Sequence, residues 1–322
     1  MFRIRFLTAI LAVLIVAACG EADGPGEATA IRINAFHDFA SSPILVMRHR
    51  KILENRLPDG VAIHWTSVAA ASDVRDALVA GQIDIASTGA PAFITAIENG
   101  LPLAFLGPGP GTWTRLYSKN PAVKHFNQVG PGDRIAIISK AGTVYLNFIT
   151  ACQEAFGQAL IFDRNLVIVP PAEALALLAS SDELALGVFH FPNTIKADQV
   201  AGLTAVDGFA EVLAEYNIGN YLMASQKFLA ANPGLTEAFM AAWAEAVEYI
   251  NVHPDEAAAL IAAEYGLEPE HLSQAFRSLP LQIEWSDYDR TAGFLYQAGI
   301  LASQPKKFAD VPQYTPPAAT RP

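Results

Sequence analysis

Residues 73–106 read DVRDALVAGQIDIASTGAPAFITAIENGLPLAFL, and the hydrophobic period changes along them. Val74, Ala77 and Leu78 recur at helical spacing behind Ser72, which is placed to cap that helix, and Gly81 stops it. Ile83–Ser87 is then strand-like, and Thr88–Gly89 turns the chain into a second helix with Pro91 near its first position. Asn99–Gly100 closes that helix, and Leu103–Leu106 is strand again. Strands alternating with helices predict a parallel sheet with right-handed helical crossovers.

Working outward, Ala30–Ala35 and Val61–Trp65 supply two earlier strands. A turn-rich segment, Gly107–Gly111, leads into Thr114–Ser118, read as a strand crossing to a second unit. There the rhythm repeats: Arg134–Ser139 strand, Val144–Gln158 helix, Leu166–Val169 strand, Ala172–Ala179 helix, Leu184–Phe189 strand. Gly219–Ala224 is the return crossing, because Thr236–Ile250, Pro254–Tyr265, Pro269–Arg277 and Ser286–Ala298 are all helical. The expected class is therefore α/β, with two lobes, each a mixed and mostly parallel sheet flanked by helices, joined by two crossing strands. Residues 30–115 and 222–303 form the first lobe, 116–221 the second, and 304–322 a Pro-rich surface tail.

The chain has 322 residues, 52% hydrophobic and 16% charged, enough to fill two cores. A net charge of -11 gives no electrostatic footprint for nucleic acid. Arg3 and Arg5 precede an apolar run, Phe6–Ala18, too short to span a membrane and followed by Cys19. That is the layout of an export leader over residues 1–19, and 20–29 read as a tether. The ending resembles the bacterial lipoprotein signal, which implies lipid on Cys19 and anchoring at the periplasmic or outer cell surface. Cys152, the other cysteine, falls on the stripe Val144, Phe148, Cys152, Phe156 and reads as a buried thiol. The stripe Phe239, Met240, Trp243, Val247, Ile250 reads as core.

Three stretches carry a resemblance to a known family: Asp73–Leu106, Asp133–Ala151 (DRIAIISKAGTVYLNFITA) and Val252–Phe276 (VHPDEAAALIAAEYGLEPEHLSQAF). They resemble the periplasmic solute-binding proteins of the nitrate, taurine and alkanesulfonate group, which includes binders of thiamine-pyrimidine and riboflavin precursors. The resemblance implies a type II periplasmic binding protein fold that closes on a small solute as a monomer. Its partners would be the permease and ATPase of an ABC importer, with no cofactor of its own. The helix starts favour an organic anion such as a sulfonate, or nitrate; aromatic residues and Asp38 fit a heteroaromatic.

Ligand contacts are expected where strands end in helix starts. Thr88, Gly89, Gly142 and Thr143 sit there, each threonine serving as helix cap, ligand contact or both. Phe36, His37, Asp38 and Ser41 follow the first strand, where the family places contacts; the competing reading is a turn with Ser41 or Ser42 capping the next helix. Trp65, Trp113 and Tyr145 are aromatic wall or core. His190 ends the last strand of the second lobe, a donor to an anion when protonated, a hydrogen-bond partner of a neutral ligand, or a structural histidine.

Other classes of function find little support. Neither H-E-x-x-H, G-x-S-x-G nor a phosphate loop is present, and the cysteine-rich iron motif of a pyrimidine synthase with this fold is missing. The seven histidines are scattered, without metal-ligand spacing. A sensor lipoprotein that keeps the clamp without an importer is the remaining alternative.

Overall fold

The alternation of β-branched strands with apolar helices folds into two sheets. The computed structural model describes residues 29–36, 38–68, 71–111, 113–214, 219–281 and 287–316, with backbone alone at 71, 72 and 214. His37, Cys19, the leader and most of the tether lie outside the described residues.

The first lobe opens with β1 (Ala30–Asn34), α1 (Ser42–Arg50), β2 (Ala62–Thr66), α2 (Ala71–Val79), β3 (Ile85–Gly89), α3 (Ala90–Glu98) and β4 (Leu103–Gly111). The second contains β5 (Thr114–Ser118), β6 (Ile135–Ile137), α4 (Thr143–Phe156), β7 (Leu166–Ile168), α5 (Pro171–Ser180), β8 (Leu186–His190), α6 (Asn193–Asp198), β9 (Thr204–Ala205) and α7 (Phe209–Ala214). The chain then returns through β10 (Gly219–Ser225) to α8 (Gln226–Ala231), α9 (Pro233–Val252), α10 (Pro254–Tyr265), α11 (Pro269–Ser278) and α12 (Tyr288–Gln297). Sheet order is β2-β1-β3-β10-β4 in the first lobe and β7-β6-β8-β5-β9 in the second. β1, β2 and β3 are parallel, as are β6, β7 and β8; β10 and β5 run antiparallel to their neighbours.

Several local expectations are corrected. Thr114–Ser118 and Gly219–Ser225 are full sheet members rather than bare crossings, so the chain changes sheet between Gly111 and Thr114 and again between α7 and β10. Gly107–Gly111 is not a turn: β4 runs through it, paired with β10 with two shifts of register. Two properties permit this. Proline is tolerated because β4 is at the sheet's edge, and a side chain at Gly109 would meet the Asn220 carbonyl oxygen at 3.1 Å. Ser72 lies inside the first turn of α2, not before it. Neither Ser41 nor Ser42 caps α1 through its side chain; the Ser42 hydroxyl lies 2.7 Å from that of Tyr265 on α10.

The expected surface tail is also structured as far as residue 316. The Phe105 and Tyr314 backbone N–H groups donate to Pro312 and Phe105 carbonyls at 2.8 Å each, adding a strip to the free edge of β4. Phe308 stacks edge-on against Phe105 at 5.2 Å, and Val311 is buried beneath the strip.

Two cores cross the boundary between the lobes. Phe93, Ile94 and Ile97 of α3 share one with Val144, Leu146 and Phe148 of α4 and with Leu295 of α12. In the other, Phe191, just beyond β8, inserts among first-lobe rings, 5.2 Å from Phe39 and 5.0 Å from Tyr265. Phe239, Trp243, Val247 and Ile250 of α9 are core as expected, and Met240 is half-buried beside them. Cys152 is fully buried, and burial pushes its thiol up to about 12, which makes it inert as a nucleophile.

Candidate functional site

The two lobes meet where β3 hands over to α3 and the segment after β6 hands over to α4. Gly89 and Gly142 are the N-caps, both in extended conformation, and no side chain caps either helix. Among the described residues, first-turn N–H groups at the positive ends of both helix dipoles thus receive no oxygen from the cap residue's side chain. The helix starts are close: a Cβ on Gly89 would fall within 3.1 Å of the Thr143 nitrogen and 3.2 Å of its Cβ, and closer still to its hydroxyl. Only a residue without a side chain allows this approach.

Thr143 uses its hydroxyl elsewhere than in capping, as a donor to Asn220 Oδ1 at 3.4 Å. Asn220 Nδ2 donates in turn to Asp38 Oδ2 at 3.4 Å, and the other Asp38 oxygen accepts the Ser41 N–H at 2.8 Å. One chain of polar groups therefore links α4 in the second lobe to β10 and the β1–α1 turn in the first. Burial raises the pKa of Asp38 above the usual carboxylate value, against the opposing pull of the hydrogen bonds from Ser41 and Asn220. Thr88 is buried within β3, opposite Tyr221 of β10. Ser41 is fully buried, and its hydroxyl, like that of nearly buried Ser87, finds no hydrogen-bond partner among the described residues.

The aromatic positions divide. Trp65, at the end of β2, and Trp113, just before β5, are half-buried on the rim of the same first-lobe core, with the Arg115 guanidinium 4.6 Å above the Trp113 ring. Phe36 is half-buried after β1. Tyr145 is buried, its hydroxyl donating to Asp163 at 2.8 Å, where Lys140 also donates at 2.8 Å. Burial alone would raise the Asp163 pKa, but hydrogen bonds from Lys140 and Tyr145 and the Lys140 charge bring it below the usual value. Tyr145 is thereby held as part of a cluster rather than as a free wall.

His190 ends β8 and pairs with Thr114 of β5. Burial lowers its pKa to about 4, so the ring is neutral at neutral pH. Of the roles read from the sequence this favours hydrogen bonding to a neutral ligand or a structural histidine, since a neutral imidazole brings no charge. Two residues that sequence reasoning passed over join the region. Asn220 is the hub between the lobes, and Asn147 of α4 donates to Thr114 at 2.9 Å. Their signal was present in the sequence as polar residues inside apolar runs, GNYLMAS and VYLNFIT.

Among the described residues there is no metal-binding cluster of histidine, cysteine or carboxylate, and no helix is long and apolar enough to cross a membrane. No protein-family model matches the sequence, and no curated protein matches it. Solved structures do resemble it. The periplasmic aliphatic sulphonate binding protein SsuA from Escherichia coli superposes with a TM-score of 0.74 at 19% identity, over 92% of this chain and 96% of that one. The alkanesulfonate-binding protein SsuA from Xanthomonas axonopodis pv. citri, bound to MOPS, gives 0.73 at 17%, over 90% and 100%. The periplasmic nitrate-binding protein NrtA from Synechocystis PCC 6803 gives 0.59 at 16%, over 76% and 69%. At these identities the likeness speaks for architecture. The chain has the two-lobed fold of the periplasmic binding proteins.

Proposed function

We propose that this protein is the solute-binding component of an ABC importer, closing its lobes on a small molecule and delivering it to a membrane permease served by an ATPase. The role is capture and not turnover, and no cofactor takes part. The observation that carries the reading is the pair of uncapped helix starts, one from each sheet, brought face to face at Gly89 and Thr143. Such ends suit an anionic group, and the structural relatives include proteins named as sulfonate and nitrate binders. A small organic anion is the preferred solute class. Asp38, Trp65, Trp113 and a neutral His190 favour a second reading, a neutral or cationic heteroaromatic. Phe36, His37, Ser41, Thr88 and Gly142 complete the proposed contact set. Residues 1–19 direct export, and Cys19 carries the lipid anchor; Cys19→Ser should move the protein from the membrane to the soluble fraction, and unchanged fractionation would refute the anchor.

The test is a thermal-shift screen of the mature chain, freed of co-purified solute, against alkanesulfonates, taurine, nitrate, pyrimidines and flavins. A true ligand at 100 times its Kd stabilises by about 2.7 kcal/mol. Gly89→Ala, which props the helix starts apart while its backbone stays in an ordinary conformation, should weaken binding by at least about tenfold. Binding unchanged in Gly89→Ala would place the ligand away from this junction, and no shift with any class would remove the transport reading.

A further inference from the structure

Away from the junction of the helix starts, a cavity of about 860 Å³ opens between α4 and α12. Leu146, Thr150 and Gln153 line it from α4, and Thr291, Phe294 and Ala298 from α12. Each set repeats at three- and four-residue steps, so one face of each helix forms a wall. None of the contact residues proposed above takes part. At a rise of about 1.5 Å per residue, Thr150 lies about 10 Å along α4 from Thr143, and Gly157, another lining residue, about 21 Å. The volume falls in the roughly 300–1,000 Å³ range of pockets that enclose small organic molecules.

The hydrogen-bonding capacity left open in the walls is neutral. Thr150 is 2% exposed and Thr291 9%, yet neither hydroxyl makes a hydrogen bond among the described residues. Unlike the hydroxyls of Ser41 and Ser87, which are sealed in protein, these two border open space. A hydroxyl held in a buried residue without a partner is costly, and a bound molecule with donors and acceptors would relieve both. The half-buried Gln153 amide is likewise unpartnered among the described residues. The charged groups at the rim are engaged. Asp287 accepts the Arg290 backbone N–H at 3.1 Å, Asp289 accepts that of Phe308 at 2.9 Å, and Glu154 and Arg290 have partners of their own.

Gly293 is an independent mark of the same space. It lies inside α12, where alanine is the better helix former, and a Cβ there would meet nothing within 4 Å. No neighbour among the described residues requires the glycine; its missing side chain widens the cavity that it lines.

We propose that this cavity is a second binding site, for an uncharged ring compound that carries amide or hydroxyl groups. The ring lies against Leu146 and Phe294, and its polar edges pair with Thr150, Thr291 and Gln153. The site goes beyond the solute-capture reading and does not rest on it, since it leaves the helix starts free.

The experiment is isothermal titration of the mature chain with N-acetyltryptophanamide and with adenosine, two uncharged rings of this kind, in wild type, Thr291→Val, Gly293→Leu and Gly89→Ala. Thr291→Val keeps the shape and removes the hydroxyl, so it should weaken binding about threefold or more while the thermal midpoint stays level or rises. Gly293→Leu fills the space and should weaken binding at least about tenfold. Should that variant fail to fold, Thr291→Val still decides. Gly89→Ala should leave binding of the probe unchanged. No saturable binding of either probe to wild type overturns the proposal, as does binding that Thr291→Val and Gly293→Leu leave intact. Binding lost in Gly89→Ala but kept in Gly293→Leu assigns the probe to the helix-start junction, which removes the second site and supports the solute-capture reading. Binding weakened in Gly293→Leu and unchanged in Gly89→Ala establishes the second site even if the solute screen finds nothing.

Discussion

At the scale of single residues, the ring of His190 makes a measurable claim. Unfolded, an imidazole takes up a proton below about pH 6.5, whereas burial delays this to about 4 in the folded chain. Between those values the unfolded state binds more protons, so folding loses stability as pH falls through that window and is at full strength above it. The loss approaches about 3 kcal/mol by pH 4 for a fully shielded ring, and somewhat less for one that keeps partial exposure. Urea unfolding at pH 7.5 and pH 4.5 checks it. His190→Gln should lose less stability on acidification than wild type, and equal losses would assign the acid sensitivity to other groups.

Among elements, the least legible in the sequence was the C-terminal strip. Proline and charge in residues 304–316 read as solvent-facing, because a strip that takes its strand-like hydrogen bonds from distant β4 carries no period of its own. The structure spends Val311 and Phe308 on covering the Phe105 edge of β4. Removing residues 305–322 would bare that edge and those rings, lowering stability by about 2–4 kcal/mol and exposing a strand open to association. Denaturant midpoints and light scattering of the truncated chain test this; an unchanged midpoint would return the strip to the role of a tail. By contrast, helices α10 and α11 were readable almost to the residue and α9 to within three, since Pro254, Gly266 and Pro269 punctuate a long apolar stripe and need no distant partner. The GPGPG run was misread for the same reason as the strip: only the backbone of Asn220, more than a hundred residues away, explains its extension. The candidate site followed this division. Gly89 and Gly142 were visible as local turn signals, whereas the Asp38–Asn220–Thr143 chain joins residues 38, 143 and 220, and spacing reveals nothing about such a meeting.

Across the whole molecule, the question is whether two lobes behave as two folding units. Each has its own sheet, which by itself would suggest two transitions. The packing argues otherwise, because α3 and α4 share one apolar core and Phe191 of the second lobe is fully buried among rings of the first. Exposing Phe191 alone would forfeit roughly 1.5–3 kcal/mol, and the α3–α4 seam adds several side chains of similar size. Unfolding one lobe would therefore strip apolar surface from the other, and the intermediate would be too costly to populate. Differential scanning calorimetry of the ligand-free chain should show one transition with calorimetric and van't Hoff enthalpies in agreement. Ligand should move that single peak upward as a whole. Two resolved peaks, only one of them shifted by ligand, would show that the seams are weaker than their burial implies and that the lobes fold independently.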